Sequence, residues 1–222
     1  MVKKITFMLV FFLVASLGTG LAYGKQYTRK YEVTITNLTP GQIFSPPIVI
    51  THRNDFKLFD LGEMASEELM ALAEEGMTDP LAALAAAYSK TTSEVAGGPV
   101  VPGASLTLTI EAKPGAWNLS VAGMLVTTND AFFAVRGIKV PLAGESVMEA
   151  VAYDAGTEFN SEDCDFIPGP PCGNHTHDDQ VEAEGYVHIH SGIHGIGPDL
   201  EVDPAQHDWR NPVALIKVRR IH

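Results

Sequence analysis

Basic residues and long apolar runs are scarce in this sequence, and each scarcity excludes a class of partner or topology. The 222 residues include 15 lysines and arginines against 27 aspartates and glutamates, a formal net charge of −12. Nucleic acids and anionic membranes are bound through basic patches, so neither is expected as a partner. The longest apolar run, Ile5 to Leu17, is shorter than the roughly 20 residues of a membrane span.

The usual signatures of catalysis are also missing. The sequence has no Gly-x-Ser-x-Gly elbow, no His-Glu-x-x-His pair and no phosphate-binding glycine loop ahead of a helix, and these motifs place a nucleophile, a zinc ion or a phosphate. Its serines, histidines and aspartates show no spacing that singles out a nucleophile. A binding function is therefore expected rather than an enzymatic one.

The first residues predict export. Lys3 and Lys4 precede the apolar run, and Ala22-Tyr23-Gly24 provides small residues at a cleavage position, which is the pattern of a secretory leader. We predict a signal peptide over residues 1–24 and one soluble domain over residues 25–222. The mature protein is expected in the periplasm or outside the cell.

Only two cysteines are present, Cys164 and Cys172, on either side of a turn-rich Pro-Gly-Pro-Pro run. An oxidising compartment favours a disulfide between them over two free thiols.

Period-2 alternation predicts an antiparallel β-fold. Residues 30–37 place Tyr31, Val33 and Ile35 on one face and polar residues on the other, as in a half-buried strand. Further short strands are expected over residues 43–52, 105–111, 117–127, 146–153, 186–190 and 213–220. Many short strands with Gly and Pro turns indicate an all-β antiparallel sandwich.

Two short helices are expected after the second strand. Ser66 is a suitable N-cap for residues 67–75, and Gly76 is a suitable stop. Asp79-Pro80 then begins a second, alanine-rich helix that ends near Tyr88.

Acidic residues at strand ends suggest a cation site. Glu111 ends one predicted strand, Asp130 follows the next, and Asp154 follows a third. Calcium requires six to eight oxygen ligands, several of them carboxylates. Solvated acids at strand ends are the alternative, and the spacing alone does not decide between the two.

The order of several motifs resembles the spondin N-terminal domain family. These motifs are Glu111, then Thr128-Asn129-Asp130-Ala131-Phe132-Phe133 with Gly137, then Tyr153-Asp154-Ala155-Gly156-Thr157-Glu158, then Asn211-Pro212-Val213-Ala214. The chain is most similar to stand-alone exported bacterial members, from about Tyr31 to Ile221.

The resemblance implies an eight-stranded β-sandwich with one divalent cation, expected to be calcium, at a loop end. Its ligands would be Glu111, Asp130 and Asp154. It also implies a non-catalytic adhesion module for an extracellular protein or glycan. Ala131 departs from the tryptophan of animal members, so any partner contact made by that ring is not expected.

A histidine-rich segment offers a second metal hypothesis. His188 and His190 share one face of a predicted strand, and His194 follows a glycine turn. Imidazole favours zinc or copper over calcium. Asp178, Asp179, His207 and Asp208 are further candidates, whereas hydrogen bonding within a polar loop is the equally weighted alternative. The His-x-His strand is also similar to copper/zinc superoxide dismutase, which keeps a metal-dependent enzyme as the alternative function.

Overall fold

The protein is described here from a computed structural model that covers residues 27–173 and 183–221, without the side chain of residue 199. The predicted signal peptide over residues 1–24 and the candidate ligands Asp178 and Asp179 lie outside the described residues.

Nine strands of the described chain form one antiparallel sheet. They are β1 Arg29–Asn37, β2 Ile48–His52, β3 Thr92–Val95, β4 Ser105–Ala112, β5 Asn118–Met124, β6 Ala131–Lys139, β7 Glu145–Asp154, β8 His188–Ile189 and β9 Ala214–Arg220. The strand order is β3-β2-β5-β6-β7-β9-β1-β4, and the short β8 pairs with β7. The antiparallel β class predicted from the sequence is therefore confirmed.

The sheet curves until its two edges almost meet, which gives it a barrel-like form. Strand β7 joins the two halves, because its first six residues pair with β9 and its last four pair with β6. At the opposite edge, the hydroxyl groups of Thr51 and Thr92 both donate to the backbone oxygen of Glu111 in β4. These bonds link β2 and β3 to β4 at one end of the molecule.

The alternation predicted for the first strand is confirmed in β1. Tyr31, Val33 and Ile35 are buried inside the curved sheet, where they pack with residues such as Phe133 and Ile216. Each fully buried side chain of this size contributes roughly 1.5–3 kcal/mol relative to its exposed state.

In the described part of the chain, three α-helices lie outside the sheet: α1 Glu67–Glu75, α2 Asp79–Ala86 and α3 Pro204–His207. The Ser66 hydroxyl accepts a hydrogen bond from the Leu69 amide, and Gly76 ends α1 in the left-handed region at φ 68°. Leu72 of α1 and Leu81 of α2 pack with Ile50 in a second apolar cluster. Strands β2 and β5 are therefore buried on both faces. None of the described helices has the length and apolar character that crossing a bilayer requires.

A disulfide and a backbone hydrogen bond hold the loops at one end of the sheet. Cys164 and Cys172 form the predicted disulfide, with their Cα atoms 4.9 Å apart. The Gly169 amide between them donates to the Val126 oxygen at 2.7 Å. A Cβ at residue 169 would lie 2.2 Å from that oxygen, so only glycine allows this approach. The fastened loop borders the candidate site described next.

Candidate metal centre

Asp130 and Asp154 lie side by side where β6 begins and β7 ends. The antiparallel register pairs Ala131 with Asp154, and the Ala155 amide donates to the Asp130 backbone oxygen at 3.2 Å. Both side chains have no exposed surface. The structure thus brings together two of the three acids that the sequence predicts as ligands.

Glu111 lies at the opposite end of the sheet. It occupies the end of β4, and the turn after β4 leads into the first residue of β5. Asp130 follows the last residue of β5, about 20 Å away at the usual rise of a strand. Glu111 is half exposed and forms an ion pair with Lys30 at 3.3 Å. One ion cannot contact Glu111 together with Asp130 and Asp154.

The Asp130 carboxylate is only half satisfied by the protein. Its Oδ2 atom accepts hydrogen bonds from the Thr157 amide at 2.8 Å, the Glu158 amide at 3.2 Å and the Thr157 hydroxyl at 3.3 Å. Its Oδ1 atom is buried and has no hydrogen-bond partner. Burial raises the pKa of Asp130 well above the ordinary value, and the neighbouring Asp154 raises it further.

Asp154 is held by two hydrogen bonds. Its Oδ1 atom accepts from the Gly156 amide at 2.8 Å, and its Oδ2 atom accepts from the Asn160 side-chain amide at 2.6 Å. Burial raises the pKa of Asp154, while the Asn160 bond and the His188 charge oppose that rise. Among the described residues, no lysine or arginine pairs with Asp130 or Asp154, and the basic side chains within 4 Å of Asp154 are those of His188 and His190.

His188 faces Asp154 through its Nε2 atom. Its Nδ1 atom lies 3.0 Å from the Ile189 backbone oxygen, a geometry in which Nδ1 carries a proton and donates. This bond orients the ring and leaves Nε2 directed at the carboxylate. The Nε2 atom is buried without a hydrogen-bond partner and lies 3.5 Å from Asp154 Oδ1.

Glu184 completes a group of three. One ligand atom each from Asp154, Glu184 and His188 lies within 4.8 Å of the other two. Gly156 allows this convergence, because at φ 68° a Cβ there would lie 2.4 Å from the Tyr186 backbone oxygen. The Gly185 amide also donates to the Gly156 oxygen at 2.9 Å. These backbone contacts bring residues 184–188 against the end of β7.

The geometry of this group suits a metal ion. Ligand atoms about 2.0–2.1 Å from a tetrahedral ion are about 3.4 Å apart, close to the 3.5 Å between His188 Nε2 and Asp154 Oδ1. The Nδ1–H bond to a backbone oxygen is the support that metal-binding histidines commonly have. This group, in which Asp154 is buried, His188 is partly buried and Glu184 is exposed, could hold a metal ion.

His190 supports the group from behind. The Gly192 amide donates to its Nδ1 atom at 3.0 Å, so its Nε2–H donates to Asn160 Oδ1 at 2.9 Å. The Asn160 amide in turn donates to Asp154 Oδ2 at 2.6 Å and Glu184 Oε1 at 3.3 Å. Burial, together with the neighbouring histidines, lowers the pKa of His190 to about 3. His190 is therefore neutral, and both of its nitrogens are already bonded.

The structure separates the third predicted histidine, His194, and the further candidate Asp208 from the group. His194 is exposed, and its Nε2 atom lies 3.0 Å from the Ser191 hydroxyl. Asp208 is bonded to the Ile193 amide and to Arg210. Of the predicted histidine ligands, His188 and His190 both approach Asp154, with Nε2 atoms 3.5 and 3.8 Å from its carboxylate oxygens, but only His188 belongs to the group of three.

Comparisons with known proteins do not supply a family. No protein-family model and no curated protein matches the chain. The resemblance to spondin domains therefore stays a prediction made from the motifs of the sequence, and the site is interpreted from its own geometry.

Two residues of the site were not predicted from the sequence. Glu184 is four residues before His188, and Asn160 is six residues after Asp154. The available signal for Glu184 was the Glu184-Gly185 pair directly before the histidine strand, since glycine permits a close backbone approach. Nothing in the sequence distinguishes Asn160 from other loop asparagines.

Proposed function

We propose that this protein is an exported, non-catalytic binding module that holds one divalent cation through Asp154, Glu184 and His188. The observation that carries the proposal is the buried Nε2 atom of His188, which lies 3.5 Å from Asp154 Oδ1 and has no hydrogen-bond partner. A metal ion between the two atoms would give Nε2 the partner that it lacks and would be attracted by the charge of the carboxylate.

The charge of the site supports the same conclusion. Asp130 and Asp154 are buried next to each other, and Glu184 adds a third carboxylate. A buried charge without a counterion costs several kcal/mol. A bound divalent ion would offset this cost. Asp130, which is not one of the three ligands, would attract the ion through its negative charge.

The donor set favours a transition metal such as zinc over calcium. Zinc accepts imidazole nitrogen together with carboxylate oxygen, whereas calcium selects oxygen ligands in larger number. Calcium, which the resemblance to spondin domains implies, is the second candidate. The observation in its favour is the unpartnered Oδ1 atom of buried Asp130, which offers a further oxygen beside the group.

The role proposed for the ion is to fix a contact surface. It would tie residues 184–188 to the end of β7. Three large apolar side chains are exposed on or beside these two segments: Phe159, Tyr186 and Ile189. Such an apolar surface suits an extracellular protein or a glycan as partner. A spondin-type sandwich with an adhesive function is compatible with this arrangement, and the partner itself is not specified.

Metal content tests the proposal directly. The purified protein is equilibrated with equal concentrations of zinc and calcium, dialysed and measured by elemental analysis. We expect about one zinc per chain, loss of zinc in His188→Gln, and retention in the control variant His194→Gln, which alters an exposed imidazole outside the group. Retention of zinc in His188→Gln would contradict the site, and calcium bound in preference to zinc would contradict the metal assignment.

A further inference from the structure

A cleft of about 310 Å³ opens on another part of the sheet, between the chain after β2 and the paired strands β5 and β6. Its polar floor is made by His52, Asn118 and Ser120, which are all buried. Its apolar wall is made by Phe56, Leu58 and Phe59. None of these residues belongs to the candidate metal centre.

The floor is rigid because its polar groups satisfy one another. The Gly137 amide donates to the Ser120 hydroxyl oxygen at 2.9 Å, and His52 Nδ1 lies 2.7 Å from the Arg53 backbone oxygen. His52 therefore donates through Nδ1, and Ser120 donates its hydroxyl proton to His52 Nε2 at 2.8 Å. A ligand in the cleft would meet a pre-formed surface and would not need to order it.

Two cationic side chains at or beside the cleft have hydrogen-bond donors that no carboxylate of the described chain occupies. Arg136 lies over the Phe59 ring, 4.5 Å from its centroid, and donates one hydrogen bond to the Phe59 backbone oxygen at 3.2 Å. Within the described part of the chain it pairs with no carboxylate. Lys139 lies beside the cleft, where its Nζ atom is oriented by the side-chain oxygens of the lining residues Asn118 and Asn54 at 2.6 and 3.5 Å.

The two oriented cations contrast with the charge of the chain. The protein carries a net charge of −12, yet Arg136 lines the cleft and Lys139 lies beside it. By contrast, the third cation at the rim, Lys57, is paired with Asp60 at 2.7 Å. An aromatic ring that fixes a guanidinium group reduces the conformational entropy lost when the group binds a ligand.

We propose that the cleft binds a small organic carboxylate with a flat apolar body. The planar fork of Arg136 matches a carboxylate in two parallel hydrogen bonds, Lys139 adds a second positive charge, and the Phe56 side of the cleft accepts the apolar body. The volume lies at the lower end of the range for small-molecule sites. This site is independent of the proposed metal and its function.

The experiment titrates benzoate into the zinc-equilibrated, ¹⁵N-labelled protein and follows the Gly137 amide and the Arg136 Nε–H signals. We expect saturable shifts at millimolar benzoate and none with benzamide, which has the same shape without the charge. Arg136→Gln should weaken binding by about 10-fold or more. The matched control Arg219→Gln, an arginine paired with Glu32 elsewhere on the sheet, should leave binding unchanged.

Three results would overturn the proposal: no saturable shift, equal binding of benzamide, or equal binding in Arg136→Gln. Stronger binding of inorganic phosphate than of benzoate would overturn the choice of a carboxylate. Asp154→Asn should retain benzoate binding, so a failed metal assignment and a failed cleft assignment give different results.

Discussion

Asp130→Asn should change the stability of the metal-free and metal-bound protein in different directions. Asparagine keeps the shape of the side chain, and its oxygen can accept the hydrogen bonds that Thr157 and Glu158 now donate to Oδ2. Its amide nitrogen then takes the place of Oδ1, which has no partner. The substitution therefore removes one buried negative charge beside Asp154 at little structural cost.

The size of the effect follows from linkage. Zinc at 100 times its dissociation constant stabilises the wild-type protein by about 2.7 kcal/mol. For a chain of this length each kcal/mol raises Tm by roughly 2–4 °C, so zinc should raise Tm by about 5–11 °C. Loss of a group that supports a metal site typically weakens binding by about 10-fold or more. At the same zinc concentration the variant should then gain about 1.4 kcal/mol, or roughly 3–6 °C.

Differential scanning calorimetry with zinc and with a chelator measures both states. The metal-free variant should be at least as stable as the metal-free wild type, because like charges buried together destabilise the folded state. Asp165→Asn, an exposed aspartate in the neighbouring loop, is the control and should change neither state. An equal loss of stability with and without zinc would refute the reasoning, since it would show that Asp130 acts only through its hydrogen bonds.

Three further predictions concern regions around and beyond the site. The buried Glu162 carboxylate accepts the amides of three successive residues, 194–196, at 2.5–2.9 Å. Glu162→Gln should therefore lower the free energy of unfolding by about 2–4 kcal/mol in urea denaturation, whereas exposed Glu201→Gln should not. Burial lowers the pKa of His52, so below pH about 6.5 the unfolded chain binds a proton that the folded chain does not. As the pH is lowered through that range, the free energy of unfolding should decrease by up to about 1.4 kcal/mol per pH unit. His52→Gln should show a smaller dependence of stability on pH. Replacing Cys164 and Cys172 by serine should cost about 2–3 kcal/mol, and a reducing agent should have the same effect on the wild type alone.

Local rules account for the parts of the fold that sequence patterns could predict. The alternation of Tyr31, Val33 and Ile35 depends only on the period of a strand, and the structure buries all three. The disulfide depends on two cysteines close together in a turn-rich loop, and it is present. Such features require no knowledge of how distant segments pair.

Glu111 shows where spacing along the chain misleads. The Lys113-Pro114-Gly115 turn joins β4 directly to β5, so the two strands run in opposite directions. Residues that follow the ends of two consecutive antiparallel strands must lie at opposite ends of the sheet. Asp130 follows β5, and so it cannot lie near Glu111. This argument was available from the sequence, because strands were predicted over residues 105–111 and 117–127 with only a short Pro-Gly connection between them.

The histidine segment shows how one pattern can contain two different roles. Regular alternation predicts His188 and His190 on one face, and both approach Asp154, with Nε2 atoms 3.5 and 3.8 Å from its carboxylate oxygens. His190 also lies against the Trp209 ring, 5.1 Å away, where burial keeps it neutral and able to donate to Asn160. Asn160 bonds both Asp154 and Glu184. The density of histidines in the sequence thus reflects one residue that faces the acids and another that positions them. A metal site built from a ligand and its support would produce the same density, and an all-ligand cluster would not leave both nitrogens of His190 bonded to protein.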